Sequence, residues 1–271
     1  FMKNLELKHK LKEGDLVLGT LIVSTSPFWP KILKDCSLDF IFIDTEHIAI
    51  SRETLSWMCR TYSAMGLPPL VRMKSPDQYI ATEFLDDGAA GIISPYTETV
   101  TQVKELVGAT KKRPLKGGRL NRLMAGEENL EESLDDYINK FNENNFLVLN
   151  IESKPAIENL DQILDIAGID AVQIGPHDLT TSLGIPEEYD NPIYLNTIEM
   201  VFKKARSKSV GAGIHAWGTP EYQKRLLDLG ANMLIHKADV LFFRDGLEND
   251  LNEIRSLVGK TDFSRKEDVN I

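Results

Sequence analysis

The sequence predicts a (β/α)8 barrel, and three observations carry that expectation. Eight short apolar, β-rich runs, beginning at Leu16, Phe40, Leu70, Gly91, Leu147, Ala171, Val210 and Met233, are each followed by a helical pattern. These eight βα units fill 271 residues, a length that such barrels take as one domain. The rival, a doubly wound open sheet, requires a glycine-rich nucleotide loop after the first strand, and Gly19-Thr20-Leu21-Ile22-Val23 is not one. With no internal repeat, low-complexity segment or second core, residues 1–271 read as a single catalytic domain with a polar tail from about residue 260.

The elements follow in order. Residues 16–23 form the first strand after the turn signal Glu13-Gly14-Asp15, and Ser26-Pro27 opens a helix toward Asp35. The second strand, 40–43, ends in Asp44-Thr45-Glu46-His47; a helix over 52–65 then stops at Gly66 before Pro68-Pro69. The third strand, 70–73, closes on Arg72, and Ser75-Pro76-Asp77 caps a helix ending in Leu85-Asp86-Asp87-Gly88. The fourth strand, 91–95, leads to a helix through Leu106. Residues 111–132 show no clean periodicity and read as a long functional loop. An amphipathic helix over 134–144 returns the chain to the centre of the pattern, residues 147–179. There the run Leu147-Val148-Leu149 ends at Asn150-Ile151-Glu152, a helix with Ile157, Leu160, Ile163, Leu164 and Ile166 follows, and the run 171–174 breaks at Gly175-Pro176 to deliver Asp178. After an irregular segment, 182–192, come a helix over 193–207, a strand over 210–215, a helix over 221–229, a strand over 233–236 and a last helix over 240–258.

The composition excludes several function classes. A net charge of −10 disfavours nucleic acid, whose binding needs a basic face against phosphate. No run of 18 apolar residues offers a membrane span. The amino terminus lacks a signal-peptide core, and Phe1 ahead of Met2 is set aside as a cloning remnant. Cys36 and Cys59 lack metal spacing and are expected as reduced thiols of a cytoplasmic protein. An anionic substrate has to be held by a local cation, because the overall charge repels it.

Barrel active sites lie at the carboxyl ends of the strands. The polar residues there are Asp44, Glu46, His47, Arg72, Glu152, His177 and Asp178. Glu152 and Asp178 follow neighbouring parallel strands, which lie roughly 4.8 Å apart, so their carboxylates can converge on a hard divalent cation, Mg2+ or Mn2+, with Co2+ as a third option. Arg72 is a fixed cation against an anionic or enolate oxygen, and His47 an acid/base, since imidazole exchanges protons near neutral pH. The backbone N–H groups of His177 and Asp178, at a helix start, suit a carboxylate. A divalent cation on a 2-oxo acid polarises its carbonyl, as retro-aldol cleavage and enolate formation require. Each residue also has a structural reading: Glu152 and Asp178 as helix-start charges or caps, His47 as a loop cap, Arg72 as an internal ion-pair partner, and Asp44 as an orienting group or cap. His215 and His236 read as structural residues of the barrel's inner layers or its outer wall.

Five segments resemble the HpcH/HpaI aldolase family: residues 39–47 (DFIFIDTEH), 68–73 (PPLVRM), 85–95 (LDDGAAGIISP), 150–164 (NIESKPAIENLDQIL) and 168–179 (GIDAVQIGPHDL). That family consists of metal-dependent pyruvate aldolases on a (β/α)8 barrel, including 4-hydroxy-2-oxoheptanedioate and 2-dehydro-3-deoxyglucarate aldolases. The resemblance implies Glu152 and Asp178 as metal ligands, Arg72 at the pyruvate enolate, His47 in the acid/base machinery and Asp86 as its carboxylate partner. It also implies a homo-oligomer, typically a hexamer, whose neighbouring subunits help close the site. Asn150 stands where many members have Gln and His177 where a smaller residue is common; both are expected at the substrate. Lys116-Gly117-Gly118-Arg119 and Arg122 occupy the region of a family loop without a clear one-to-one match. The implied activity is cleavage of a 4-hydroxy-2-oxo acid to pyruvate and an aldehyde. The alternatives are a decarboxylase or other lyase acting through a pyruvate enolate, as on oxaloacetate, and a non-catalytic barrel that binds a small carboxylate.

Overall fold

The structure, a computed structural model, describes residues 2–259; the terminal Phe1 and the polar tail expected from about residue 260 lie outside the described residues. The chain opens with α1 (Met2–Glu13), β1 (Val17–Leu21), α2 (Trp29–Leu33), β2 (Phe40–Asp44), α3 (Arg52–Ala64), β3 (Pro69–Arg72), α4 (Gln78–Asp86) and β4 (Gly91–Ser94). It continues through α5 (Val100–Lys111), α6 (Gly117–Ala125), α7 (Glu132–Asn142), β5 (Phe146–Asn150), α8 (Lys154–Glu158), α9 (Leu160–Leu164) and β6 (Ala171–Ile174). It ends with α10 (Pro176–Leu183), α11 (Pro192–Ser207), β7 (Gly211–Ala216), α12 (Pro220–Asp228), β8 (Met233–Ala238) and α13 (Asp239–Leu257). The eight strands are parallel and close in sequence order, β1 pairing with both β2 and β8. This is the (β/α)8 barrel that the apolar runs predict.

Side chains alternate across each strand, and the alternation divides the apolar residues into two cores. Phe40, Phe42, Leu70, Ile93, Phe146, Val148, Ala171, Met233 and Ile235 pack with one another inside the barrel. Their neighbours Ile41, Ile43, Val71, Ile92, Leu147, Leu149, Val172 and Leu234 face the helices outside. The interior fills by matching large residues to small: a side chain at Gly19 would meet the Phe40 ring at 2.4 Å. The pattern turns polar at the carboxyl ends of β2, β3, β5 and β6, where Asp44, Arg72, Asn150 and Gln173 take the inward positions, with Asp44 beside Arg72 and Asn150 beside Gln173 in register.

Three local features depart from the sequence reading. The amino-terminal segment, which the sequence reading left without an element, is α1, whose Leu7 and Leu11 are buried in the inner core. The region 111–132, read as an irregular loop, contains α6, which buries Leu120 and ends at Gly126 with φ 78°, a left-handed cap that glycine adopts without strain. The helix expected between β5 and β6 is two short pieces, α8 and α9, which share Asn159 as their junction. Among the described residues no helix is long and apolar enough to cross a membrane.

Candidate active site

The mouth of the barrel is organised by one buried ion pair. Arg72 donates from Nε to Asp44 Oδ1 at 2.9 Å and from Nη2 to Asp44 Oδ2 at 2.6 Å, a two-pronged contact across neighbouring strands. Its guanidinium lies over the Phe42 ring, 5.5 Å from the centroid, and Nε also sits 3.2 Å from Glu46 Oε2. Burial opposes the charge on Asp44, yet the Arg72 fork and the Glu46 N–H hold its carboxyl below the usual range. Burial instead pushes Glu46 up, and Arg72 only partly offsets it. His47 Nε2 is 3.7 Å from Glu46 Oε2 and its ring is largely exposed at the rim. Asp44 is therefore the orienting group of Arg72.

The second cluster spans the ends of β4, β5 and β6. Glu152 is buried, 1% exposed, and points inward because it lies two residues beyond Asn150. Its Oε1 accepts the backbone N–H of Tyr96 at 2.7 Å, and its Oε2 accepts Asn150 Nδ2 at 2.9 Å. Burial pushes its carboxyl up to about 7, the Tyr96 N–H opposes that shift, and the nearby charge of Asp178 adds to it. Asp178, in the first turn of α10, accepts the Tyr96 phenol on Oδ1 at 2.9 Å. Partial burial and that hydrogen bond raise the phenol to about 12, so it is a proton donor at neutral pH. Among the described residues, the buried amide oxygens Asn150 Oδ1 and Gln173 Oε1 find no hydrogen-bond partner.

Gly175 makes the approach of β6 to Glu152 possible. A Cβ there would stand 2.1 Å from Glu152 Oε2, although the backbone, at φ −92°, would accept any residue. We therefore expect Gly175→Ala to fold but to displace the Glu152 carboxylate, lowering affinity for a cation at this site by roughly 10- to 100-fold. Titration of the folded variant with Mn2+ checks this.

The other residues singled out in the sequence are placed as follows. His177 is exposed on α10 with Nδ1 3.7 Å from Glu187 Oε1. Asp86 closes α4 in the outer helix layer, where it pairs with Arg113 from the segment after α5; within one chain the structure does not bring it to His47. Arg119 and Arg122 of α6 are bound by Glu128, and Arg119 also by Glu131, on the outer side of the fold.

Sequence reasoning missed Tyr96 and Gln173, and left His215 open between the barrel's inner layers and its outer wall. Tyr96 could have been found by the rule that found the others, since it follows β4 at the break Ser94-Pro95. His215 lines the mouth, edge-on to Phe42 at 5.5 Å and against Trp217 at 4.4 Å, with Nε2 3.2 Å from the Lys237 carbonyl. Burial lowers it to about 4 from an ordinary 6.5. The unfolded chain therefore binds this proton between those values and the folded one does not, so its contribution to stability is complete above about pH 6.5 and is lost as pH falls toward 4. Melting temperatures from pH 4 to 7 should fall less steeply with acid in His215→Gln than in the parent.

Among the described residues no group of three or more His, Cys, Asp or Glu side chains forms a metal cage. The cluster instead offers two carboxylates, without sulfur or imidazole, beside a buried amide oxygen lacking a donor. This set suits Mg2+ or Mn2+, which take one or two protein carboxylates and fill the remaining positions with water and substrate oxygens.

Comparison with known proteins identifies the family. The family model described as HpcH/HpaI aldolase/citrate lyase matches residues 21–236. The chain is 30% identical over 250 residues to 2-keto-3-deoxy-L-rhamnonate aldolase of Salmonella gallinarum, covering 92% of this chain and 93% of that protein. Its fold is similar to that of an HpcH/HpaI aldolase from Desulfitobacterium hafniense, with a TM-score of 0.78 and 26% identity over 92% of this chain and 96% of the other. It is also similar to the citrate synthase SbnG, with a TM-score of 0.79 and 25% identity over 94% and 99% of the two chains. The chain belongs to the HpcH/HpaI aldolase/citrate lyase family and is a carbon–carbon lyase.

Proposed function

We propose that the enzyme cleaves a 4-hydroxy-2-oxo acid to pyruvate and an aldehyde, and catalyses the reverse condensation, with a divalent cation between Glu152 and Asp178. The observation that carries this reading is the gathering of the Asp44–Arg72–Glu46 cluster, His47, Glu152 and Asp178 at one barrel mouth. When bound, Mg2+ or Mn2+ supplies Lewis-acid polarisation of the 2-oxo carbonyl. The protein's own residues do the rest. His47, beside Glu46, takes the proton of the C4 hydroxyl; the C4 oxygen becomes the aldehyde carbonyl, the C3–C4 bond breaks, and its electrons form the enolate of pyruvate. Arg72, held by Asp44 so that it cannot swing away, stabilises the enolate oxygen until C3 is protonated. The helix start at His177 and Asp178 and the side chains of Asn150 and His177 bind the acid. The rhamnonate aldolase relatives make a 2-keto-3-deoxy sugar acid the first substrate to test. Release of pyruvate from it, abolished by EDTA and restored by Mn2+, is the expected result.

A second reading uses the enolate differently. The likeness to a citrate synthase favours condensation at the enolate, and oxaloacetate decarboxylation uses the same Arg72. Turnover of oxaloacetate with no cleavage across a panel of hydroxy-oxo acids would select it.

We also propose that the protein is a homo-oligomer, as the family resemblance implies. The outer face of α13 carries Phe243, Leu247, Leu251, Ile254 and Leu257 at helical spacing, all exposed, and a second copy is the occupant that would cover such a stripe. Asp86 then reaches a His47 only across a subunit boundary. Mixed oligomers of His47→Ala and Asp86→Ala, each nearly inactive alone, should regain part of the activity when co-expressed. Co-expression without recovery, with mixed oligomers isolated, would assign Asp86 to its Arg113 pair only.

A further inference from the structure

Tyr96 touches both carboxylates of the candidate cation site, by two different groups. Its backbone N–H donates to Glu152 Oε1 at 2.7 Å, and its phenol donates to Asp178 Oδ1 at 2.9 Å. The residue adopts φ 43°, in the left-handed region where an aromatic side chain is disfavoured by about 1 kcal/mol, so the backbone is held there by what it contacts. Glu152 stands on the loop after β5 and Asp178 in the first turn of α10 after β6, whereas Tyr96 stands on the loop after β4. One residue therefore ties three strand ends together.

We propose that Tyr96 is the positioning residue of the cation site: its phenol holds Asp178 by Oδ1 and leaves Oδ2 free of that hydrogen bond, while its N–H fixes the partner carboxylate. This rests on the reading of Glu152 and Asp178 as cation ligands. Asn150 Nδ2 completes the arrangement on Glu152 Oε2 at 2.9 Å, so the two ligands are oriented by three donors before any ion arrives. Outer hydrogen bonds of this kind set ligand geometry, and their loss lowers metal affinity by roughly 10- to 100-fold.

The test is Tyr96→Phe, which deletes the phenolic donor and keeps the backbone N–H. Tyr96 is 43% exposed, so the metal-free variant should melt with the parent. Free Mn2+ measured by electron paramagnetic resonance should show a Kd raised about 10- to 100-fold, with kcat recovering to within severalfold of the parent at saturating Mn2+. A purely structural role would instead move the melting temperature and leave Kd alone. An unchanged Kd in the folded variant overturns the proposal, and a kcat loss that persists at saturating Mn2+ with Kd unchanged overturns it in favour of a substrate contact. If the parent itself binds no Mn2+, the cation reading fails, and the proposal with it.

Discussion

Glu152→Gln should abolish cation-dependent pyruvate chemistry while leaving the metal-free protein at least as stable as the parent at pH 8. The two halves of that expectation have one cause. The Glu152 carboxyl is pushed up to about 7 from an ordinary 4.5, chiefly by burial. Its folded value lies above its unfolded one, so the folded protein holds the proton more tightly, and stability falls as pH rises through about 7. At pH 8 the buried charge opposes folding by about 3 kcal/mol. Gln keeps the shape, still accepts the Tyr96 N–H, donates to Asn150 Oδ1 once that amide turns over, and removes that cost. It cannot, however, act as an anionic ligand, and the loss of several kcal/mol of Lewis-acid stabilisation corresponds to a rate lower by about 10^3 or more. Thermal melts with and without Mn2+ separate the two effects. The parent should gain stability in proportion to RT ln(1 + [Mn2+]/Kd), and the variant should gain none. A variant that melts higher with Mn2+ exactly as the parent does would remove Glu152 from the site.

Arg72 is expected to show the opposite pattern, losing stability and activity together. Its fork satisfies both oxygens of a buried Asp44 and also reaches Glu46. Arg72→Ala leaves Asp44 charged, buried and unpaired, and should cost about 3–5 kcal/mol. Arg72→Lys keeps the charge but loses the planar two-pronged contact; urea unfolding should show a smaller loss, about 1–2 kcal/mol. Because an ammonium cannot serve Asp44 and an enolate oxygen in the same geometry, kcat in Arg72→Lys should drop by about 10^2–10^3. The contrast is diagnostic. A lysine variant with near-normal kcat would reduce Arg72 to a structural ion pair.

The parts of the fold that were legible in the sequence are those set by alternation and by chain breaks. The eight strands are apolar runs that end in a polar residue or a Gly-Pro step, and that ending is also what places Glu152 and Asp178 at the mouth. α1 was not legible because its two inner-core leucines, Leu7 and Leu11, sit among charged residues, and only the barrel floor they cover makes them a face. α6 was hidden by Gly117-Gly118, which open it against helix propensity. Tyr96 stands at a strand end where the same rule reaches it, but its backbone contact to Glu152 and its φ of 43° are not revealed by a residue type. Asp86 reads from the sequence as a helix end, which α4 shows, while its role came from the family resemblance alone, and the fold puts that helix end in the outer layer against Arg113. His215 was treated as structural, although the strand alternation through Gly211 and Gly213 already turned it inward.

Whether this barrel mouth generates the enolate of pyruvate with a divalent cation can be tested without knowing the aldehyde. Proton NMR of pyruvate in D2O, with EDTA-treated protein and then with added Mg2+ or a trace of Mn2+, follows exchange of the methyl protons directly. Exchange should require the cation and disappear in Glu152→Gln. Absence of exchange with Mg2+, Mn2+ and Co2+ in a protein shown to be folded would mean that this mouth does not form the enolate.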